Sequence, residues 1–255
     1  MNKIVQFTIC NIFKSKIIIV YSLLLALISF STFILEDNAT KGVLTLLNII
    51  LLISPLVSIL FSTIYIYNSS EFIELLLSQP IGRKKIWNSL FAGVSLSLIM
   101  STLIAVGIPL FLFVETGLAL TMITMSTLIT LVFTALAFLC SIMSRDKAKG
   151  IGIAIISWLF LGLLFDVIVL FLLFQFADYP IEKFAVGLAS FNPIDLARIL
   201  ILLKLDVSVM MGYTGAIFKE FFGTSLGLII SFCILLLWVI IPFFISLIKF
   251  KNKDL

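Results

Sequence analysis

The sequence predicts an all-α membrane protein with six transmembrane helices, and three observations carry that expectation. Apolar residues fill 62% of the 255 positions and charged residues only 12%, about half of the roughly 25% with which a soluble domain coats its surface. The apolar residues fall into six runs, each long enough to cross about 30 Å of hydrocarbon as a helix of about 20 residues. The basic residues crowd into alternate connections between those runs. No stretch large enough to fold in water is left over, so residues 1–255 read as a single transmembrane domain.

Met1 to Ser15 mixes Ile4, Val5, Phe7, Ile9, Ile12 and Phe13 with Lys3, Gln6, Asn11 and Lys14. That mixture predicts a short interfacial helix on the cytoplasmic leaflet. The first run, Ile17–Leu35, follows Lys3, Lys14 and Lys16 as the core of a signal peptide would. It is longer than such a core and has no Ala-x-Ala exit, so it reads as a retained span. The remaining runs are Val43–Tyr67, Leu90–Val114, Leu118–Met143, Ile151–Phe174 and Leu226–Ile248. Helix is the default for each, because backbone groups find no water partner in lipid. Only Glu115, Thr116 and Gly117 separate the third run from the fourth, which predicts a tight helical hairpin.

Orientation follows from Lys and Arg placement. The N-terminal segment, the 68–89 and 144–150 loops and the tail together hold twelve of the seventeen basic residues; Lys41, Lys183, Arg198, Lys204 and Lys219 lie on the other side. Six spans therefore place both termini in the cytoplasm, in a multi-pass protein of the inner membrane.

The 68–89 loop is the most informative local signal. Ser69 or Ser70 suits a helix cap, and Glu71 and Glu74 follow in the first turns, where the helix dipole favours anions. Glu71, Glu74 and Ser78 share one face, Pro80 and Gly82 stop the helix, and Arg83, Lys84 and Lys85 anchor the next span at the headgroups. The loop reads as an amphipathic helix parallel to the membrane with an acidic edge toward the cytoplasm. Spacing alone is equally met by an ordinary solvated loop helix.

The connection 175–225 is too long to be structureless. Asn192 before Pro193 is a helix-start signal. In the helix that follows, Asp195, Arg198 and Asp206 fall near one face, with Asp195 and Arg198 spaced i, i+3, while Ile194, Ala197, Ile201 and Leu205 gather on the other and Lys204 breaks the pattern. The turn-rich Gly212-Tyr213-Thr214-Gly215 precedes Phe218, Phe221 and Phe222. A small external helical cap, partly embedded in the interface, is expected.

Asp166 is the only carboxylate deep inside an apolar run. Such groups are costly and face an interior or an aqueous path, or else sit near a span end, or pair with a polar neighbour such as Ser157 or Thr134. Spans one and four are rich in Ser and Thr (Ser22, Ser29, Ser31; Thr121, Thr124, Ser126, Thr127, Thr130, Thr134). They read as packing seams between helices and as a possible homodimer interface.

Several chemistries are excluded. There is no His, and Cys10, Cys140 and Cys233 are scattered without a CxxC, so no metal or redox centre is expected. Met210 and Met211 project on different faces and read as packing residues. No phosphate-binding loop or nucleophile–base pair occurs. A net charge of +4 without a basic tail gives nucleic acid no foothold. Any energy source must therefore lie in another subunit.

The stretch Glu71-x-x-Glu74-Leu75-Leu76-Leu77-Ser78-Gln79-Pro80-Ile81-x-Arg83-x-x-Ile86 resembles the coupling-helix region of ABC-2 type transporter permeases. The six spans, the N-terminal interfacial helix and the long last external connection resemble that family's type V exporter-like layout too. Phe191 to Leu200, Leu205-Asp206-Val207-Ser208, Gly212 to Ala216 and Phe221-Phe222-Gly223 resemble permeases that serve the assembly of the copper–sulfur centre of nitrous-oxide reductase. The resemblance implies an ATPase-coupling role for Ser70, Glu71, Phe72, Glu74, Leu75, Leu76, Ser78, Gln79, Pro80 and Arg83. It implies an external cap or periplasmic contact for Asn192, Pro193, Asp195, Arg198, Asp206 and Tyr213. It further implies a homodimeric permease, two copies of an ABC ATPase subunit that holds the ATP and Mg, and a periplasmic accessory protein. No cofactor is expected on this chain. The rival reading is an ATPase-independent secondary carrier or membrane assembly scaffold.

Overall fold

The computed structural model describes residues 2–36, 38–176, 187–188, 190–205 and 222–252, and no strand occurs among them. Helix α1 (Asn2–Phe13) precedes the first span, α2 (Lys16–Leu35). The second span, α3 (Ala39–Asn68), leads through Ser69 alone into the short α4 (Ser70–Leu77). The third span is α5 (Arg83–Thr102), a π turn (Leu103–Gly107) and α6 (Ile108–Phe113). The fourth is the unbroken α7 (Thr116–Met143). The fifth is α8 (Lys147–Leu159), a second π turn (Phe160–Leu164) and α9 (Phe165–Gln175). A buried helix (Pro193–Lys204), here the cap helix, and the last span (Ser225–Asn252) complete the described chain. Six of these helical stretches are long and apolar enough to cross a membrane, as the sequence predicts.

Burial ranks the spans. Two-thirds (67%) of the most apolar window of α7 is buried, against 50% for α3, 17% for the last span and 6% for span five. Helix α7 is the centre of the bundle, so Ser126, Thr130 and Thr134 are spent inside the protomer. Thr130 shares a 3.0 Å hydroxyl contact with Ser54 of α3, and Thr134 donates to its own helix at the Thr130 carbonyl. That corrects the expected homodimer seam on span four for these three residues. Their small polar side chains let α3 and α7 approach closely.

At the end that carries Arg83, Lys84, Lys85, Lys147 and Lys149 (the basic end), an aromatic cluster ties three spans together. Trp87 stacks on Phe250 at 4.2 Å and meets Phe138 edge-on at 4.9 Å. Its indole N–H donates to Ser246 Oγ at 3.0 Å, so a fully buried Trp keeps its polar handle satisfied. Helix α1 packs along α5 through Thr8 and Ile12, both buried. A Cβ at Gly93 would stand 2.6 Å from Thr8 Cβ and Cγ2, so only glycine permits this approach.

Candidate functional site

Two groups of residues singled out from the sequence occupy opposite ends of the bundle. At the basic end, α4 buries Ile73 and Leu76 and exposes Glu71, Glu74, Leu75, Ser78 and Gln79. Leu75, next to Glu74 and one turn after Glu71, is 65% exposed, an apolar knob beside an acidic ridge. Phe72 faces the other way and stacks on Phe7 of α1 at 4.9 Å. The helix is not capped by a serine side chain as expected: Ser69 makes no side-chain cap bond. Its backbone N–H donates instead to the Tyr65 carbonyl at 2.9 Å, so α3 runs into α4 almost without interruption. Ser78 ends α4, its hydroxyl donating to the Leu75 carbonyl at 2.9 Å. Arg83 reaches the far end of the chain, its Nη1 donating to the Lys251 carbonyl at 3.2 Å, where a cation suits the carbonyl end of a helix.

Behind the ridge lies a cavity of about 320 Å³ bordered by Tyr67, Ser70, Glu74, Trp87, Ser144 and Arg145. Tyr67 forms its rear wall. The Tyr67 hydroxyl lies within hydrogen-bonding distance of the Ser141 carbonyl (3.2 Å) and the Ser144 carbonyl (3.0 Å), at the end of α7. The hydroxyl end of the same ring abuts Gly150 of α8, where an added Cβ would meet the Tyr67 hydroxyl and stand 2.6 Å from its Cζ. Tyr67 and Gly150 thus lock the ends of α3 and α7 to the start of α8, one turn before α4 begins. Sequence reasoning passed over both. The one available signal was a glycine opening a span directly after Lys149.

At the opposite end the structure joins residues that the sequence left apart. Asn192 caps the cap helix, its Oδ1 accepting from the Ile194 N–H at 3.1 Å, and Pro193 takes the first helical position, as expected. The Asn192 amide also donates to the Leu161 carbonyl at 2.8 Å and to Asp195 Oδ2 at 2.9 Å. Leu161 lies in the second π turn, where a widened backbone ladder leaves room for a side-chain donor. It stands roughly 21 Å along the helix from Lys147, at about 1.5 Å per residue. The cap helix therefore starts inside the bundle, with Asn192 wholly buried. Ile194, Leu196, Ala197, Ile199, Leu200 and Ile201 are buried as well, which replaces the expected two-faced interfacial helix with an inserted one.

Asp166 pairs with neither Ser157 nor Thr134. Arg198 Nη1 donates to Asp166 Oδ2 at 3.0 Å and to Asp195 Oδ1 at 3.2 Å, so one guanidinium serves two carboxylates on two helices. Burial first, and then the nearby Asp166, push the Asp195 carboxyl up to about 7 against the opposing pull of Arg198 and Asn192. Two acids on one cation favour keeping a proton at the site. Asp206, Tyr213, Met210 and Met211 lie outside the described residues.

Comparison with known proteins bears on both ends. The family model described as ABC-2 family transporter protein matches residues 15–255. The chain is 30% identical over 170 residues to a protein of Pseudomonas aeruginosa named probable ABC transporter permease protein NosY. That alignment covers 62% of this chain and 62% of the relative, so the match spans less than two thirds of the relative's length.

Proposed function

The chain belongs to the ABC-2 family of transporter proteins, and on that premise we propose that it is the membrane-spanning permease subunit of an ATP-driven transporter, driven through α4. The observation that carries this reading is the acidic ridge of Glu71, Glu74 and Ser78 beside the exposed Leu75. A cytoplasmic ATPase subunit, holding the ATP and Mg that this chain has no loop to bind, would grip that ridge. Two permease copies and two ATPase copies would form the working unit, with both termini of this chain in the cytoplasm.

Movement of α4 would pass into α3 without slack, because Ser69 alone separates them. Tyr67 would carry it to α7 and α8, and the cavity behind Glu74 gives α4 room to tilt. Span five carries Asp166 just past its π turn, and Asp166 holds the cap helix through Arg198. The opposite end of the bundle, and an accessory protein on it, would then respond to nucleotide. The resemblance of the 191–223 region supports a narrower role in assembling the copper–sulfur centre of nitrous-oxide reductase, by export or by mechanical signalling.

The test is ATPase stimulation in proteoliposomes with Glu71→Lys and Glu74→Lys combined. Loss of stimulation, with the permease still monodisperse, is the expected result; stimulation at the wild-type level refutes the docking role of the ridge. The Asp166–Arg198–Asp195 cluster also suits an ATPase-independent carrier, since midplane charge networks mark such proteins. A pull-down from native membranes that recovers intact permease and no ATPase would favour that reading.

A further inference from the structure

A third polar feature lies at the basic end, apart from the ridge. Between the end of α1, the start of α2 and the end of α3 is a cleft of about 280 Å³. Its rim is polar or cationic: Asn11, Lys14, Asn68 and Ser69. Its other lining is mostly apolar, with Ile12 and Phe61 buried, and none of its lining residues is acidic. Lys147 adds a second cation, its Nζ donating to Asn68 Oδ1 at 2.7 Å. Ser15 starts α2 at the cleft without a side-chain cap bond, so the first-turn N–H groups, which have no partner within the helix, are left to an outside acceptor.

Tyr65 lines the same cleft, and its hydroxyl is buried without a hydrogen-bond partner among the described residues. A buried hydroxyl left unpaired bears its desolvation cost uncompensated, so it calls for an acceptor. Cations at the mouth, N–H donors at the side and a waiting hydroxyl at the back together suit a singly charged oxyanion. Below the cleft, α2 offers an exposed apolar track: Ile17 is 56%, Val20 54% and Leu24 56% exposed. An oxyanion attached to acyl chains fits both halves of this surface.

We propose that the cleft between α1, α2 and α3 is the headgroup site of an anionic phospholipid. Lys14 and the Lys147–Asn68 pair hold its phosphodiester, Tyr65 donates to a phosphate oxygen, and an acyl chain lies along α2. Basic pockets between helices on the positively charged side of a membrane protein bind such headgroups. This site does not depend on the ATPase reading, and it borders Ser69, the single residue between α3 and α4. A bound lipid would brace α1 and α3 together there.

The test is native mass spectrometry of the delipidated full chain in mild detergent, titrated with phosphatidylglycerol and, separately, with phosphatidylcholine. One phosphatidylglycerol is expected to bind at least tenfold more tightly than phosphatidylcholine. Lys14→Gln should weaken it about fivefold, the effect of one basic residue at a lipid surface, and the nearly isosteric Tyr65→Phe should weaken it severalfold. Lys84→Gln, at the same end but outside the cleft, should leave it unchanged. Equal binding by the wild type, Lys14→Gln and Tyr65→Phe would overturn the assignment. So would an equal loss in Lys84→Gln, which would reduce the effect to general surface charge. Displacement of the lipid by millimolar inorganic phosphate would assign the cleft to free phosphate instead and overturn the lipid proposal.

Discussion

Replacing Arg198 by Met removes the cation from a site with two carboxylates and keeps most of the side chain's length. Breaking a fully buried pair by removing one partner costs about 3–5 kcal/mol, whereas exposed pairs contribute about 0–1 kcal/mol. The Arg198 and Asp166 side chains are 32% and 30% exposed, which places the expected loss near 1–3 kcal/mol. At about 2–4 °C per kcal/mol for a chain of this size, thermal unfolding in detergent should move down by several degrees. Asp195→Asn should behave differently. The Asp195 carboxyl, 13% exposed, is raised to about 7, first by burial and then by Asp166. Its folded pKa lies above its unfolded one, so the folded protein binds the extra proton between about 4 and about 7. Stability from this group is therefore full at the acid end of that window and is lost as pH rises through about 7, at up to about 1.4 kcal/mol per unit. An asparagine side chain cannot ionise, so D195N should flatten this slope and match or exceed the wild type at pH 8. Unfolding monitored by fluorescence-detected size exclusion from pH 5 to 8 measures both effects. A wild-type-like slope in D195N, or a loss in D195N at pH 8 as large as that of R198M, would refute the reasoning.

Three further outcomes follow from close contacts and from exposure. Gly150→Ala should cost about 1–3 kcal/mol, the usual cost of overpacking, because the new Cβ meets the Tyr67 ring; Tyr67→Phe in the same chain should recover part of it, a non-additivity that a double-mutant cycle of unfolding temperatures measures. Gly93→Val should drive Thr8, and with it α1, away from α5; faster tryptic cleavage after Lys14 in the folded protein is the readout. Glu71→Lys with Glu74→Lys should leave unfolding within about 0.5 kcal/mol of wild type, since both side chains are exposed, and a large thermal loss would mean that the ridge is structural.

The spans were legible because length and hydropathy suffice where the backbone has no water to bond, and the basic loops confirmed their alternation. The start of the cap helix was legible for a local reason: Asn and Pro have distinct roles at a helix N-terminus, and Asn192 and Pro193 fill both. What failed needed three dimensions. Asp166 was seen as an intramembrane acid, but its partner lies 32 residues on, in another helix. The i, i+3 rule found Arg198 next to Asp195 and could not supply the second carboxylate. Spacing makes the cap helix two-faced, with Asp195 and Arg198 on the polar side; paired with each other and with Asp166, they allow burial on nearly every side. Span four's hydroxyls read equally as seams within the protomer or between two copies, because composition cannot tell a central helix from a peripheral one; burial assigns Ser126, Thr130 and Thr134 to the former. Tyr67 and Gly150 left almost no trace, since a close ring-on-glycine contact is a property of two distant segments.

The distribution of helix breaks bears on how this bundle would move. Helix α7 is buried along most of its length and carries neither an internal proline nor a π turn. Four of the other spans carry a weak point: a proline inside α3 (Pro55) and the last span (Pro242), and a π turn in span three (Leu103–Gly107) and span five (Phe160–Leu164). Proline removes a ladder hydrogen bond and a π turn widens the ladder, so each is where a helix bends at low cost. A push on α4 would therefore be absorbed unevenly. The basic-end halves of α3 and span five, joined by Tyr67 on Gly150 and pinned by the Tyr67 hydroxyl to the end of α7, would tilt as one piece about that end of α7. The bend in span five would fall at its π turn, where Leu161 holds Asn192 and Asp166 follows within two turns. The inserted end of the cap helix is thus fastened beside the flexible point of span five, and a small rotation there would change its depth in the bundle. Hydrogen exchange supplies the discriminating observable. Faster exchange at 160–166 and 192–198 with unchanged protection in α7, on nucleotide binding to the assembled complex, fits this division. Uniform change across all six spans would mean that the bundle moves as a rigid body and that the breaks serve packing alone.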